Sequence, residues 1–326
     1  MGKYKKDILT AILCFCFVII LNFLLPRMLP GDPIAYLTGF SEEDMTVRQY
    51  EYYREALHLS DSLPVQFFYY LKSLVDGTLG YSFKKESVVV SLIFSRLGNT
   101  LEITFPGVIF TSLLALYLGL KAGERKDGVL DKILTPSSIV LNTFPAFLIG
   151  IILILVLSFR LKIFPYANLN TIGVEKGSLL YISDRIWHLV LPVLTLVLAQ
   201  LPSRYLLVRN MTADASEEKY ILYARTRGLS SVSIRYCYIL PNIVSPFINM
   251  VGMSIGSALG GTLVIENLFS INGMGTLSSE AVYSLDYPLI QGILFVTTSF
   301  MTLSIIVSDG LCLLFDPRLR NMEEKK

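Results

Sequence analysis

"YARTRGLSSVSIRYCYILPN", residues 223–242, carries three arginines and a glycine and ends in Leu-Pro-Asn, yet it lies between two of the most apolar parts of the chain. Just upstream, "SEEKYILYARTRG" (216–228) reads as a short amphipathic helix with Tyr220, Tyr223 and Ala224 on one side and charges around them. Gly228 suits the left-handed position that ends such a helix. Ser230 or Ser231 is placed to cap a second helix, "VSIRYCYIL", before Leu240-Pro241 leads into the next apolar run. The residues themselves leave two readings open. One is a helix–glycine–helix elbow that presents a compact knob to a partner's groove. The other is a solvated loop whose basic residues face anionic lipid.

The rest of the chain makes the setting clear. Of 326 residues, 53% are hydrophobic and 17% charged, and the mean hydropathy is +0.57. Soluble domains carry about 25% charged residues. The charges here collect between apolar runs, which predicts a polytopic all-α membrane protein. Apolar stretches of bilayer-crossing length fall at 8–25, 104–120, 139–159, 187–208, 240–265 and 289–314. The first follows a basic start, as a secretory signal would. Its length and the lack of a small-residue cleavage site predict a retained membrane helix. Proline and glycine inside several runs are compatible with membrane helices.

Lysine and arginine orient the helices, because they favour cytoplasmic loops. Placing the N-terminus inside puts 17 of the 28 basic residues in internal segments, and the opposing loop 266–288 then holds none. The expectation is six helices with both termini cytoplasmic. The stretch 29–98 forms an ordered external segment, with short helices broken at Leu63-Pro64. "LPGDP" (29–33) reads as a turn at the bilayer exit.

Several classes of chemistry find little support. A net charge of +2 gives no reason to expect a nucleic-acid partner. Cys14, Cys16, Cys237 and Cys312 lie in or beside apolar runs without metal-knuckle spacing, and His58 and His188 are too few for a metal cage. "GERKDG" (123–128) has glycines spaced like a phosphate loop, but Val129-Leu130 stand where Lys-Ser/Thr would be needed. No catalytic residue, metal or cofactor is therefore expected on this chain. Gly252, Gly256 and Gly260 recur every four residues, which permits close helix approach, either within this chain or at a seam with a second subunit lining a path. Asp309 is the acidic residue deepest in an apolar run and reads best as a structural hydrogen-bonding group. Glu102 and Glu266 fall near helix ends, where they are expected to reach water.

The spacing Ala224–x3–Gly228–x11–Leu240–Pro241 resembles the EAA motif of ATP-binding-cassette importer permeases. The family's Glu-Ala-Ala is Leu222-Tyr223-Ala224 here, and its isoleucine is Tyr238. The peptide branch's pattern is matched at Tyr220, Ile221, Ala224, Arg225, Thr226, Arg227, Gly228 and Leu229. "LPGDP", "DGTLGYSF" (76–83), "RLGNTLEIT" (96–104), "HLVLPVLTL" (188–196), "DYPLIQG" (286–292) and "DPRLR" (316–320) are similar, in order, to the dipeptide/oligopeptide/nickel permease group, of the type encoded first in such transporters. The likeness covers nearly the whole chain.

The resemblance implies a type I importer permease fold with this layout: a first helix and N-terminal tip at 1–28, the external segment 29–98, a five-helix core domain at 99–316 and a tail at 317–326. It further implies a second permease that is a different, homologous chain, two cytoplasmic ATPases that bind ATP and magnesium, an external solute-binding protein and a surrounding lipid bilayer. The loop 212–239 becomes the coupling element, with Tyr220, Ala224, Arg225, Gly228, Leu229, Leu240 and Pro241 as its residues. A short peptide is the expected solute; nickel, a metallophore complex or a small oligosaccharide follow. An ion-coupled carrier would show an internal repeat and midplane charges, and a receptor would need an output domain; neither is evident in this sequence.

Overall fold

The computed structural model describes residues 2–28, 32, 34–35, 45–56, 58–82, 84–260 and 262–315, with side chains from residue 9 onward except residue 11. Most of the 29–33 turn, the tail 316–326, Phe83 and Gly261 lie outside the described residues.

Helix α1 (Gly2–Arg27) is followed by two short helices, α2 (Val47–Ala56) and α3 (Leu63–Val75). Pro64 sits in the first turn of α3, where its missing N–H costs nothing, and the chain leaves α3 through Gly77 at φ +71°. A two-residue hairpin pairs β1 (Tyr81–Ser82) antiparallel with β2 (Ser87–Val88), Tyr81 opposite Val88. Helix α4 (Val89–Glu124) starts directly from β2. Next come α5 (Val129–Leu141), α6 (Ala146–Arg160, wound as a π-helix from Ile154), α7 (Leu179–Ser216) and α8 (Lys219–Thr226). Helix α9 (Ser231–Leu259), short α10 (Leu263–Leu268), α11 (Met274–Tyr283) and α12 (Tyr287–Phe315) complete the described chain.

Four of these helices, α4, α7, α9 and α12, are long and apolar enough to cross a bilayer, and α5 with α6 makes a fifth crossing in two pieces. The apolar part of α1, Ile12–Arg27, is shorter than the other spans. Two expected spans need correction. The run 139–159 is not one helix: α5 and α6 meet at 103°. Asn142 is the C-cap of α5, the next two residues are held by turn hydrogen bonds to Val140 and Leu141, and Pro145 is extended (ψ 146°) before α6. Proline disfavours helix in the residue before it, so the chain turns at 142–145. The run 240–265 is also displaced, because its helix begins at Ser231 and ends at Leu259.

Helices α4 and α7 pack along most of their lengths and form the spine of the molecule. At Gly119 a side chain would meet Val208 Cβ at 2.7 Å and the Arg209 backbone at 3.0 Å, so the absence of one lets the two helices touch. Helix α12 lies against α9 on one side and α1 on the other. Three buried clusters divide the core along the bundle. Val89, Ile93, Met274, Leu277 and Leu289 fill one end; Ile103, Leu191, Ile265 and Phe269 fill the middle. Leu120, Val208, Ile221, Ile234 and Ile239 fill the other end, beneath α8.

Glu266 departs from expectation. It is 0% exposed. Its Oε1 accepts hydrogen bonds from Thr100 Oγ1 (2.7 Å) and Thr262 Oγ1 (2.8 Å), and its Oε2 accepts one from the Thr276 backbone N–H (3.0 Å). Thr100 Oγ1 in turn accepts from Met274 N (2.8 Å). The carboxylate thus joins α4, α10 and α11. A buried charge without such donors would be costly. Glu102 behaves as expected: it is part-exposed and accepts from Arg185 Nε at 2.6 Å.

Candidate functional site: the elbow between α7 and α9

Helix α8 is eight residues long, too short to be stable alone. Ile221 and Ala224 hold it by burying their side chains against Leu120, Val208 and Ile234. Tyr220 packs against the same cluster. The opposite face carries Leu222 and Tyr223, 62% and 68% exposed, with exposed Arg225 and Arg227 beside them.

Gly228 ends α8 at φ +77°. Its N–H bonds to Arg225 C=O (2.9 Å) and the Leu229 N–H bonds to Ala224 C=O (3.3 Å). These two bonds make a complete Schellman closure, which requires a left-handed residue at that point. Leu229 then packs into the apolar cluster beneath α8. Ser230 caps the next helix, its Oγ accepting from Ser233 N–H at 3.2 Å. The elbow's second limb is not a separate short helix, because it runs on into the membrane span. Residues Arg235–Ile239 are wound as a π-helix just ahead of Leu240 and Pro241. A proline inside a helix leaves a carbonyl without its usual donor; nearby, the Asn242 side-chain amide donates to Tyr238 C=O.

Ion pairs that sequence reading did not single out moor this elbow. Arg235 donates from Nε to Glu124 Oε2 (2.7 Å) at the end of α4, and from Nη2 to the same oxygen. Arg209 of α7 pairs in two-pronged fashion with Asp131 of α5, its Nε 2.8 Å from Oδ1. All four side chains are largely buried. Lys126 and Glu217 add an exposed pair at 3.0 Å. Partners up to 111 residues apart in sequence leave no periodic trace; their one visible signal is that each is a charge at the edge of an apolar run.

The other singled-out residues lie apart from the elbow. Gly252 and Gly256 face α12 of the same chain. Gly252 lies against Ser308, and a side chain on Gly256 would meet the Met301 backbone at 3.1 Å. Gly260 has open space around it. Asp309 lies on an exposed face of α12 near its end. Among the described residues, no group of three His, Cys, Asp or Glu side chains is arranged to hold a metal ion.

A bundle of helices of membrane-crossing length, with an amphipathic elbow between two of them, defines a polytopic helical membrane protein. A family model described as binding-protein-dependent transport system inner membrane component matches residues 112–321, and the chain belongs to that family. Within it, the chain is a type I ATP-binding-cassette importer permease of the dipeptide/oligopeptide/nickel group. The nickel import system permease protein NikB of Staphylococcus aureus is 30% identical to it over 300 residues in strains bovine RF122 / ET3-1, MRSA252 and USA300, covering 92% of this chain and 86% of each relative.

Proposed function

We propose that this chain forms half of the translocation path of an ATP-driven nickel importer, and that 212–239 couples it to a cytoplasmic ATPase. The observation that carries the coupling role is the Schellman-closed elbow, which buries Ile221 and Ala224 and leaves Leu222 and Tyr223 outward. An exposed apolar pair on a moored, polar turn is suited to a partner's groove and poorly suited to water. In this reading Tyr220, Ala224, Leu229, Leu240 and Pro241 shape the elbow, and Arg225 and Gly228 set its charge and direction. The N-terminal tip, the tail and the elbow share the cytoplasmic side, 29–98 lies outside, and 99–316 is the core domain. A homologous second permease, two ATPases that bind ATP and magnesium, and an external binding protein complete the importer.

The names of the relatives favour nickel, as the ion or a chelate, over a short peptide. A peptide remains the second reading, supported by the pattern Tyr220–Leu229. Proteoliposomes holding the full importer and its binding protein decide between them. Nickel uptake should require ATP and stay unchanged under an excess of mixed dipeptides. Saturable dipeptide uptake without nickel uptake would replace the metal by the peptide.

A further inference from the structure

At the end of α1 away from its N-terminus, a cavity of about 250 Å³ opens between α1, α3 and the start of α12. Its lining includes Arg27, Gln66, Tyr69, Tyr70, Tyr287 and Gln291, and no carboxylate. Arg27 lies over the Phe23 ring, 3.7 Å from its centre. It donates from Nε to Gln66 Oε1 (2.9 Å) and from Nη1 to Phe23 C=O (2.8 Å). A guanidinium has five N–H donors, so among the described residues the remaining ones find no acceptor, and no acid pairs with this cation. Two acids lie nearby, and both are engaged: Asp61, on the approach to α3, with His58 Nδ1 at 2.9 Å, and Asp32, whose charge is felt at Tyr287, as acceptor from Ile34 N–H (3.0 Å) and the Tyr50 hydroxyl (3.4 Å).

Tyr70 supplies a second, independent observation. It is 7% exposed, and among the described residues its hydroxyl has no hydrogen-bond partner. Burial pushes its pKa up to about 12, although Arg27 pulls the other way, so the hydroxyl keeps its proton and stays a donor at physiological pH. An orphaned buried hydroxyl is rare in a folded protein and calls for a missing partner. A phenol can donate as well as accept, and beside a positive charge an acceptor that serves both groups is the matching partner.

We propose that this cavity binds a phosphate oxyanion, that of an anionic lipid headgroup, with Arg27 and Tyr70 as its donors. The surroundings select a lipid over a free solute. Arg27 closes an apolar membrane helix, which puts its guanidinium at headgroup depth. Leu24, Leu25 and Met28 on α1 and Phe68 and Tyr69 on α3 are exposed beside it, as an acyl chain and interfacial belt require. Guanidinium–phosphate pairing is charge-assisted and geometrically matched. The site would tie the external segment to the bilayer where α1 packs on α12.

Native mass spectrometry of the full chain tests this, after purification from membranes and exchange into phosphatidylcholine micelles doped with phosphatidylglycerol. The wild type should retain one phosphatidylglycerol in preference to diacylglycerol. Tyr70→Phe removes a hydroxyl with no hydrogen-bond partner among the described residues, so folding should be intact while retention falls several-fold. Arg27→Gln should lose it about tenfold or more, and Arg27→Lys should recover part. Equal lipid retention by wild type and Tyr70→Phe overturns the site. Displacement by millimolar inorganic phosphate with no lipid held overturns the lipid as occupant.

Discussion

Gly228 and Gly119 separate two meanings of a glycine. At Gly228 no neighbour lies within 4 Å of where a Cβ would sit, but φ is +77°. A leucine there meets only the backbone penalty of left-handed geometry, on the order of 1–2 kcal/mol. Gly228→Leu should reach the membrane at near-normal level, yet fail to transport and copurify weakly with its ATPases. Transport at the normal rate at matched expression would remove the coupling role. At Gly119 φ is not the constraint and space is, since Val208 and the Arg209 backbone stand in the way. Gly119→Leu should lower the melting temperature in detergent, by the roughly 1–3 kcal/mol of overpacking or more. Glu266 is the third informative residue. Glu266→Gln keeps the shape but sets an amide N–H against hydrogen-bond donors, costing on the order of 1–3 kcal/mol. Thermal unfolding in detergent reads that loss directly.

Elements show what a sequence hides. The four long spans were legible because a bilayer demands length and apolarity, and both are local properties. The break at 142–145 was not. Pro145 stands in the break between two helices, as the N-cap of α6, whereas Pro106, Pro192, Pro202 and Pro246 lie inside helices. Membrane neighbours satisfy freed backbone groups equally well in either case, so proline alone does not distinguish a kink from a turn. Gly228 was legible for the opposite reason, because a C-cap is set by the residues on either side of it. Glu266 was misjudged because its partners come from α4 and α11, elements that sequence order keeps apart. The Arg235–Glu124 pair belongs to this scale as well, since it fixes the elbow to the end of α4. Breaking a buried pair from one side strands a charge and typically costs about 3–5 kcal/mol. Glu124→Gln should therefore destabilise more than the double variant Glu124→Gln/Arg235→Gln, and a double-mutant cycle in detergent measures the difference.

The start of α12 makes a pH prediction. Asp286 is buried and accepts from Ser82 Oγ and from Leu289 N–H (3.3 Å). Burial holds its carboxyl above the usual carboxylate range, against the pull of the Ser82 hydrogen bond. A carboxyl raised on folding binds its proton more tightly in the folded state, so protonation favours the fold. Stability from this group should rise as pH falls through the folded value, level off below the unfolded one, and be lost as pH rises again. Asp286→Asn should flatten that part of the profile in a pH series of melting temperatures.

At the scale of the whole molecule, a helical bundle carries the short helices α2 and α3 at one end and a moored elbow at the other. The layout makes geometric sense of the charge asymmetry: the ion pairs Arg235–Glu124, Arg209–Asp131 and Lys126–Glu217 all gather at the elbow's end. The central claim is that the outward face of α8 meets an ATPase. Tyr223 is 68% exposed on that face, and Cys14, Cys16, Cys237 and Cys312 are free thiols that must first be replaced. Tyr223→Cys in the cysteine-free chain, expressed with its ATPases carrying single cysteines around their grooves, should form a crosslinked permease–ATPase band on oxidation of inside-out vesicles. No such band at any groove position, together with labelling of Tyr223→Cys by a membrane-impermeant thiol reagent on intact cells, would contradict the account.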